Sequence, residues 1–299
     1  MSILVLGTVA LDTVKTPYGK RIKMLGGSAA HFSMAARLFD CVHLVAIVGR
    51  DFPPRYIDFL RAKGIILDSL IRSGGKTFQW AGEYRGDLNT ALTLSTELGV
   101  LMTFRPTVSE GERDIKNIFL ANIDPELQEH LLSHMHSPGL VALDSMNYWI
   151  NNKPKQLLRL LRKVDIYVAN DEEARVLSGE SNLMRAAKAL RGRGAKMVLI
   201  KKGEHGVLFY SDKFILSLPA YPTEKVIDPT GAGDTFAGGF MGYLARVKKV
   251  SAATVKKALA YGTIAASFNV EGFGMEKTSR LTLATLNRRL TKFRKAVVF

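Results

Sequence analysis

Asp228-Pro-Thr-Gly-Ala-Gly-Asp-Thr-Phe-Ala-Gly-Gly-Phe240 packs a bare turn, a helix start and a carboxylate into one short segment. Gly231, Ala232 and Gly233 leave the backbone almost without side chains, so successive N–H groups can crowd round a multiply charged group. Asp234 then opens a helix expected to run from Thr235 to about Arg246, and the positive end of its dipole points at the same anion. A carboxylate there can take the proton of an attacking hydroxyl while the amides take up phosphoryl charge. A bare GxGD is also what an ordinary turn capped by Asp looks like. The longer string is more specific.

That string, followed by the small residues Ala237, Gly238 and Gly239, resembles the C-terminal motif of the ribokinase family, the phosphofructokinase B-type sugar and nucleoside kinases. The resemblance implies that Asp234 is the catalytic base and that the Gly231, Ala232 and Gly233 amides form the anion hole. Thr230, Gly231 and Gly233 are then part of the ATP site. Asp228 and Thr230 stand where members that need K⁺ supply ligands, although both residues also serve the turn.

Further matches follow in order along the chain. Ile3 to Gly7 reads as a short apolar strand, and Asp12 stands where the family keeps a carboxylate for substrate hydroxyls. Gly26-Gly27-Ser28 caps a helix expected from Ala29 to Phe39, with Phe32, Ala35, Ala36 and Phe39 at helical spacing. This is similar to the family's Gly-Gly pair, which opens a helix whose first turn touches substrate, and it implies substrate contacts at Gly26, Gly27, Ser28 and His31. The family usually has Asn where this chain has His31. A helix dipole would push a His there toward its neutral form.

Asp165 to Asn170 reads as a buried strand and Asp171 to Leu177 as the helix after it, so Asn170 and Glu173 can face one point. The pair resembles the family's Asn-x-x-Glu motif and implies Mg²⁺ held through water; a plain helix cap fits the same residues. Val198 to Tyr210 reads as two strands joined by a glycine turn, similar to the family's hairpin along ATP, which implies nucleotide contacts at Lys201, Gly203 and Gly206. Val141 to Trp149 resembles a strand-end Asp-x-Asn-x-Arg pattern with Tyr148 and Trp149 where Arg is often found. That weighs against a phosphorylated acceptor and leaves Asp144 and Asn147 as secondary candidates.

Alternating strands, near 3–7, 44–48, 118–121, 140–144, 165–169 and 197–201, and helices predict an α/β fold. Its mostly parallel sheet is sandwiched by helices. Two segments, about 13–25 and 77–103, break the pattern and resemble the family's small β-sheet lid. Within the second, Phe78, Trp80 and Tyr84 alternate with Gln79, Glu83 and Arg85. Trp80 is the candidate for stacking on substrate; packing within the lid, or a homodimer contact through it, accounts for the aromatics equally. The expected unit is therefore a single kinase domain over 1–299 carrying a lid.

Composition agrees with an enzyme. At 299 residues and 47% hydrophobic the chain can bury a large core, and its single cysteine, Cys41, excludes an intrachain disulfide. No apolar run reaches membrane-spanning length, which with the N-terminal strand points to the cytoplasm. Of the +15 net charge, about ten charges fall after residue 245, where twelve Lys or Arg face Glu271 and Glu276. Leu281, Leu283, Leu286, Leu290 and Phe293 recur among them at helical spacing, the pattern of a solvated helix rather than of a nucleic-acid or membrane surface. Gly74-Gly75-Lys76-Thr77 ends like a P-loop but lacks its first glycine. His130 and His134 are one helical turn apart with no third ligand.

The resemblance implies an ATP- and Mg²⁺-dependent kinase that transfers the γ-phosphate to a hydroxyl of a sugar or related polyol. A nucleoside, adenosine in particular, is the alternative acceptor, and a catalytically silent ligand sensor is the rival from another class. Retention of Asp234 with its anion hole argues against the sensor.

Overall fold

The computed structural model describes residues 2–86, 88–247 and 249–297. Its main sheet runs, from one edge, Ile215–Leu218, Val207–Ser211, Met197–Lys201, Ile166–Asn170, Leu140–Asp144, Asn117–Leu120, Ser2–Leu6, Cys41–Gly49 and Ile65–Ile66. Leu70–Ser73 pairs with the far half of Cys41–Gly49. All pairings are parallel except those of Val207–Ser211 with its two neighbours.

Both faces of this sheet are buried, and the strands show why. In Ser2–Leu6, Ile3 and Val5 enter one core while Leu4 and Leu6 enter the other. Strands covered on both faces read as unbroken apolar runs, which is what the sequence displays. Helices Ser28–Ala36, Ala232–Val247 and Ala252–Asn269 cover the first face, and Pro125–Ser133, Pro154–Leu161, Asp171–Ser178 and Leu183–Gly192 the second. Phe32 stacks on Phe119 with ring centroids 4.3 Å apart, which pins the helix carrying His31 to the sheet. Burying one such ring stabilises by about 2–3 kcal/mol.

The order of the strands reverses at Ser2–Leu6, between Asn117–Leu120 and Cys41–Gly49. Ligands of open parallel sheets bind at the carboxyl ends of the strands beside such a reversal. Gly7, Thr8, Ala121 and Asn122 follow those ends here.

The second sheet is the lid, with order Gly19–Gly26, Ala10–Thr16, Gln79–Tyr84, Ala91–Glu97. It is mixed: the two middle strands run parallel and pair Asp12 with Trp80. The lid starts earlier than expected, at Ala10, and ends earlier, at Glu97. Residues 99–103 form a 3₁₀ turn whose Val100 is buried in the main core, an apolar anchor that period-2 alternation does not register.

The basic C-terminal segment forms helix Leu283–Ala296, with Leu286 and Phe293 buried and most charges outward. Thr77 of the P-loop-like run is fixed by Asp51, whose Oδ1 accepts from both its N–H and its hydroxyl at 2.7 Å, so that run is a structural loop. His134 Nδ1 lies 2.8 Å from the carbonyl of His130, a contact inside one helix turn.

Candidate active site

Gly231 has φ +73°, the left-handed region that glycine enters without cost, and a Cβ there would overlap the ring of His31. The turn is tied from behind. Asp228 is fully buried; its Oδ1 accepts from Thr230 N–H at 2.9 Å and its Oδ2 from Gly274 N–H at 3.0 Å. Asn269 Nδ2 donates to the Thr230 carbonyl at 2.8 Å, while its Oδ1 accepts from Thr235 Oγ1 at 3.0 Å. Asp228 thus acts as a staple of the turn, with both oxygens engaged by backbone.

Helix Ala232–Val247 starts two residues earlier than Asp234. The Ala232 N–H turns back to the Pro229 carbonyl at 3.0 Å and is not available to an anion, which corrects the expected three-amide hole. The amides of Gly231 and Gly233 are left without a partner among the described residues. A Cβ on Gly233 would stand 3.0 Å from Lys201 Nζ, so the lysine lies directly against the turn.

Four charged groups converge there. Lys201 Nζ donates to Asp144 Oδ2 at 2.9 Å across the end of strand Ile166–Asn170, which lies between their two strands. Burial alone would lower the Lys201 pKa, but Asp144, Glu173 and Asp234 together hold it above its ordinary value. Asp234 is pushed up to about 7, first by burial and then by Asp144, with Lys201 opposing. Glu173 is also raised, by burial and by Asp144. Asp144, a secondary candidate from sequence, is therefore a central member.

Asn170 and Glu173 do face each other, as a reciprocal cap. Glu173 N–H donates to Asn170 Oδ1 and Asn170 N–H to Glu173 Oε2, both at 2.7 Å. Among the described residues no group of three His, Cys, Asp or Glu forms a metal cage.

At the other end of the cleft, Asp12 is buried at the start of the lid, and its Oδ2 accepts from Gly27 N–H at 3.2 Å. Its pKa is pushed up to about 7 by burial, with Asp228 and Asp234 adding to the effect. Gly26 packs against that carboxyl so closely that a Cβ would overlap it, and Gly27 has φ +95°. His31 is buried, and burial lowers its pKa to about 4, with Asn269 opposing, so the ring is neutral. Its Nδ1 has no partner among the described residues.

Two expected substrate contacts are corrected. Ser28 Oγ accepts from Thr8 N–H and donates to the Asn122 carbonyl, both at 3.1 Å, so it fastens the strand ends at the sheet reversal. Trp80 donates its indole N–H to Thr93 Oγ1 at 3.2 Å and lays its ring over Gly82, inside the lid. Gly203 (φ +54°) and Gly206 (φ +84°) do form the hairpin turn beside Lys201, and Asn89 from the lid donates to Glu204 in that turn at 3.1 Å. Sequence reasoning missed Asn269, for which a buried Asn inside an apolar helix run was the available signal. It also passed over Tyr84, whose hydroxyl accepts from Thr230 Oγ1 at 3.4 Å.

The profile described as "pfkB family carbohydrate kinase" matches residues 12–280, from Asp12 past the turn at 228–234. The chain belongs to the pfkB family. Among pfkB relatives, a cytidine kinase of Thermococcus kodakarensis is 34% identical over 81% of this chain and 87% of its own length. A ribokinase of Haemophilus influenzae is 32% identical over 43% of this chain and 42% of its own. The fold is that of the nucleoside kinase of Methanocaldococcus jannaschii, an archaeal member of the ribokinase family, with TM-score 0.79 and 23% identity over 97% of this chain and 98% of that one. This pfkB chain is a phosphotransferase with an alcohol acceptor, an ATP-dependent kinase of a sugar or nucleoside. Among the described residues no helix is long and apolar enough to cross a membrane.

Proposed function

We propose that the chain transfers the γ-phosphate of ATP to a ribose hydroxyl of a nucleoside, with cytidine as the first acceptor to test. The observation that carries the acceptor is the extent of similarity. The cytidine kinase aligns along 81% of the chain, whereas the ribokinase aligns along 43%. Sugars, the broader expectation from the motifs, become the second acceptor class.

In this reading Asp12 holds acceptor hydroxyls at one end of the cleft and Asp234 takes the proton of the attacking hydroxyl at the other. A base with a pKa near 7 is matched to that task at neutral pH. The Gly231 and Gly233 amides and the helix N-terminus receive charge on the phosphoryl oxygens, and Lys201 stands beside them as a compact positive charge.

Three carboxylates, Asp144, Glu173 and Asp234, face the single ammonium of Lys201. Burial and mutual repulsion raise Glu173 and Asp234, and a divalent cation would favour their ionised forms; without a cage among the described residues Mg²⁺ would be held through water by Asn170 and Glu173 and by the phosphates themselves. When bound, the ion neutralises phosphate charge. K⁺ beside Asp228 and Thr230 would have to share oxygens already engaged in the turn. A homodimer through the lid is supported by the edge strand Ala91–Glu97, where Leu92 and Leu94 are exposed. A cytoplasmic location is part of the same reading, since ATP is the donor.

ADP release with Mg·ATP, measured across nucleosides and pentoses, tests the function. Faster turnover of cytidine than of ribose is the expected outcome; turnover of sugars alone would replace the nucleoside reading, and no acceptor-dependent ADP would defeat it.

A further inference from the structure

From strand Gln79–Tyr84 of the lid it is Tyr84, rather than Trp80, that reaches the cleft. Trp80, Gly82 and Tyr84 share one face of strand Gln79–Tyr84. Trp80 spends its N–H inside the lid, whereas Tyr84, at the far end of the strand, is buried and reaches the transfer turn through Thr230. We infer that Tyr84 is a specificity-determining residue, which donates its phenolic hydrogen to one oxygen of a vicinal diol on the acceptor, opposite Asp12.

The placement of hydrogen-bonding capacity supports this. With Thr230 Oγ1 donating to the phenol oxygen, the proton of Tyr84 remains to be used. The carboxylates acting on that phenol are Asp228, Asp12 and Asp234. Asp228 has an N–H on each of its oxygens, and Asp12 has one on Oδ2. Asp228 is thus the most heavily engaged of these with the turn, and Asp12 and Asp234 are the two that the proposed function assigns to acceptor hydroxyls. Burial first, and then the three carboxylates, push its pKa up to about 12, so Tyr84 stays a neutral donor at working pH.

The chemistry is complementary. A carboxylate can only accept from a hydroxyl, whereas a phenol on Thr230 can donate to one, so together they recognise two neighbouring hydroxyls and disfavour a deoxy analogue. A site built to bond a hydroxyl rejects the molecule lacking it more strongly than an apolar pocket does.

This rests on the nucleoside kinase reading, and the test separates the two. Calorimetric titration of the full chain without ATP would use cytidine, 2′-deoxycytidine, 3′-deoxycytidine and ribose, for wild type and Tyr84→Phe. Phe keeps the ring that packs with Val14 and Leu88, and a thermal melt checks folding. The expected result is cytidine binding weakened about 10-fold in Tyr84→Phe, with no further loss for one of the two deoxy analogues. In turnover, the cytidine KM rises while the ATP KM stays unchanged. Equal weakening for every acceptor, or unchanged cytidine binding with a fall in kcat alone, would overturn the inference and leave the kinase reading standing. Wild-type protein that binds neither cytidine nor ribose would overturn both.

Discussion

The floor of the cleft and its lid are built on opposite physical terms. On the floor, the turn at 228–234 is tied by Asp228, Asn269 and Thr235, packed against a neutral His31, and backed by a helix buried along most of its length. The lid is a four-stranded sheet whose last strand, Ala91–Glu97, is exposed nearly throughout. Its polar contacts to the rest of the described molecule include Tyr84 on Thr230, Asn89 on Glu204, Asp12 on Gly27, Lys23 on Tyr56, and Arg21 near Glu276, where it also lies 4.6 Å over Phe273. Charge stabilisation in a transfer site works through groups that do not reorganise, whereas an acceptor must enter and leave. The difference predicts that floor variants lose chemistry and lid variants lose discrimination.

Asp234→Asn cuts deepest. It keeps size but removes the proton acceptor, so kcat is expected to fall about 10²–10⁴-fold with ATP affinity nearly unchanged. Undiminished turnover would remove Asp234 from the chemistry. The same residue sets the pH dependence: with its pKa near 7, kcat should climb as pH rises through about 7 and then level off. Stability runs the other way. Asp234 and Asp12 both have folded pKa values raised from 3.8 to about 7, so the folded state holds their protons more tightly than the unfolded one. Their contribution is complete below about pH 4 and is lost as pH rises through 7. Asp234→Asn should therefore melt higher than wild type at pH 8 and show no such gain at pH 4.

Next in size is Gly231→Ala, which adds a Cβ against His31 at a left-handed φ. Displacing one donor of the anion hole is expected to cost about 10²-fold in kcat. Wild-type kinetics in a folded variant would mean that the turn is not the anion hole.

At the boundary between floor and lid, Asp12→Ala should raise the acceptor KM about 10–100-fold and leave ATP binding intact. A matching rise in the ATP KM would place Asp12 on the nucleotide side.

The smallest effect is expected inside the lid. Trp80→Phe removes the hydrogen bond to Thr93, and a loss of about 2-fold in kcat/KM should be the same for nucleosides and sugars. A loss confined to nucleosides would restore Trp80 as a stacking residue and blur the division between the two regions.

Much of this was legible from the residues alone, for a local reason. The unbroken apolar strands, the glycines of the transfer turn and the Gly26-Gly27 helix start each express their structure within a few residues, through backbone sterics and burial on both faces of a sheet. Asp12 and Lys201 are expected at the site through the family resemblance, and Asp234 through its place at the glycine turn as well. What sequence could not assign was how polar groups share their hydrogen bonds across the fold. The Ala232 amide turns back on Pro229, and Ser28 is absorbed by Thr8 and Asn122. Asp144 joins the site only because its strand and that of Lys201 both pair with Ile166–Asn170, which brings the two side chains together across it. Tyr84 and Asn269 meet Thr230 from positions 146 and 39 residues away in the chain. A buried donor or acceptor must find a partner somewhere, but only the packed tertiary structure decides which one.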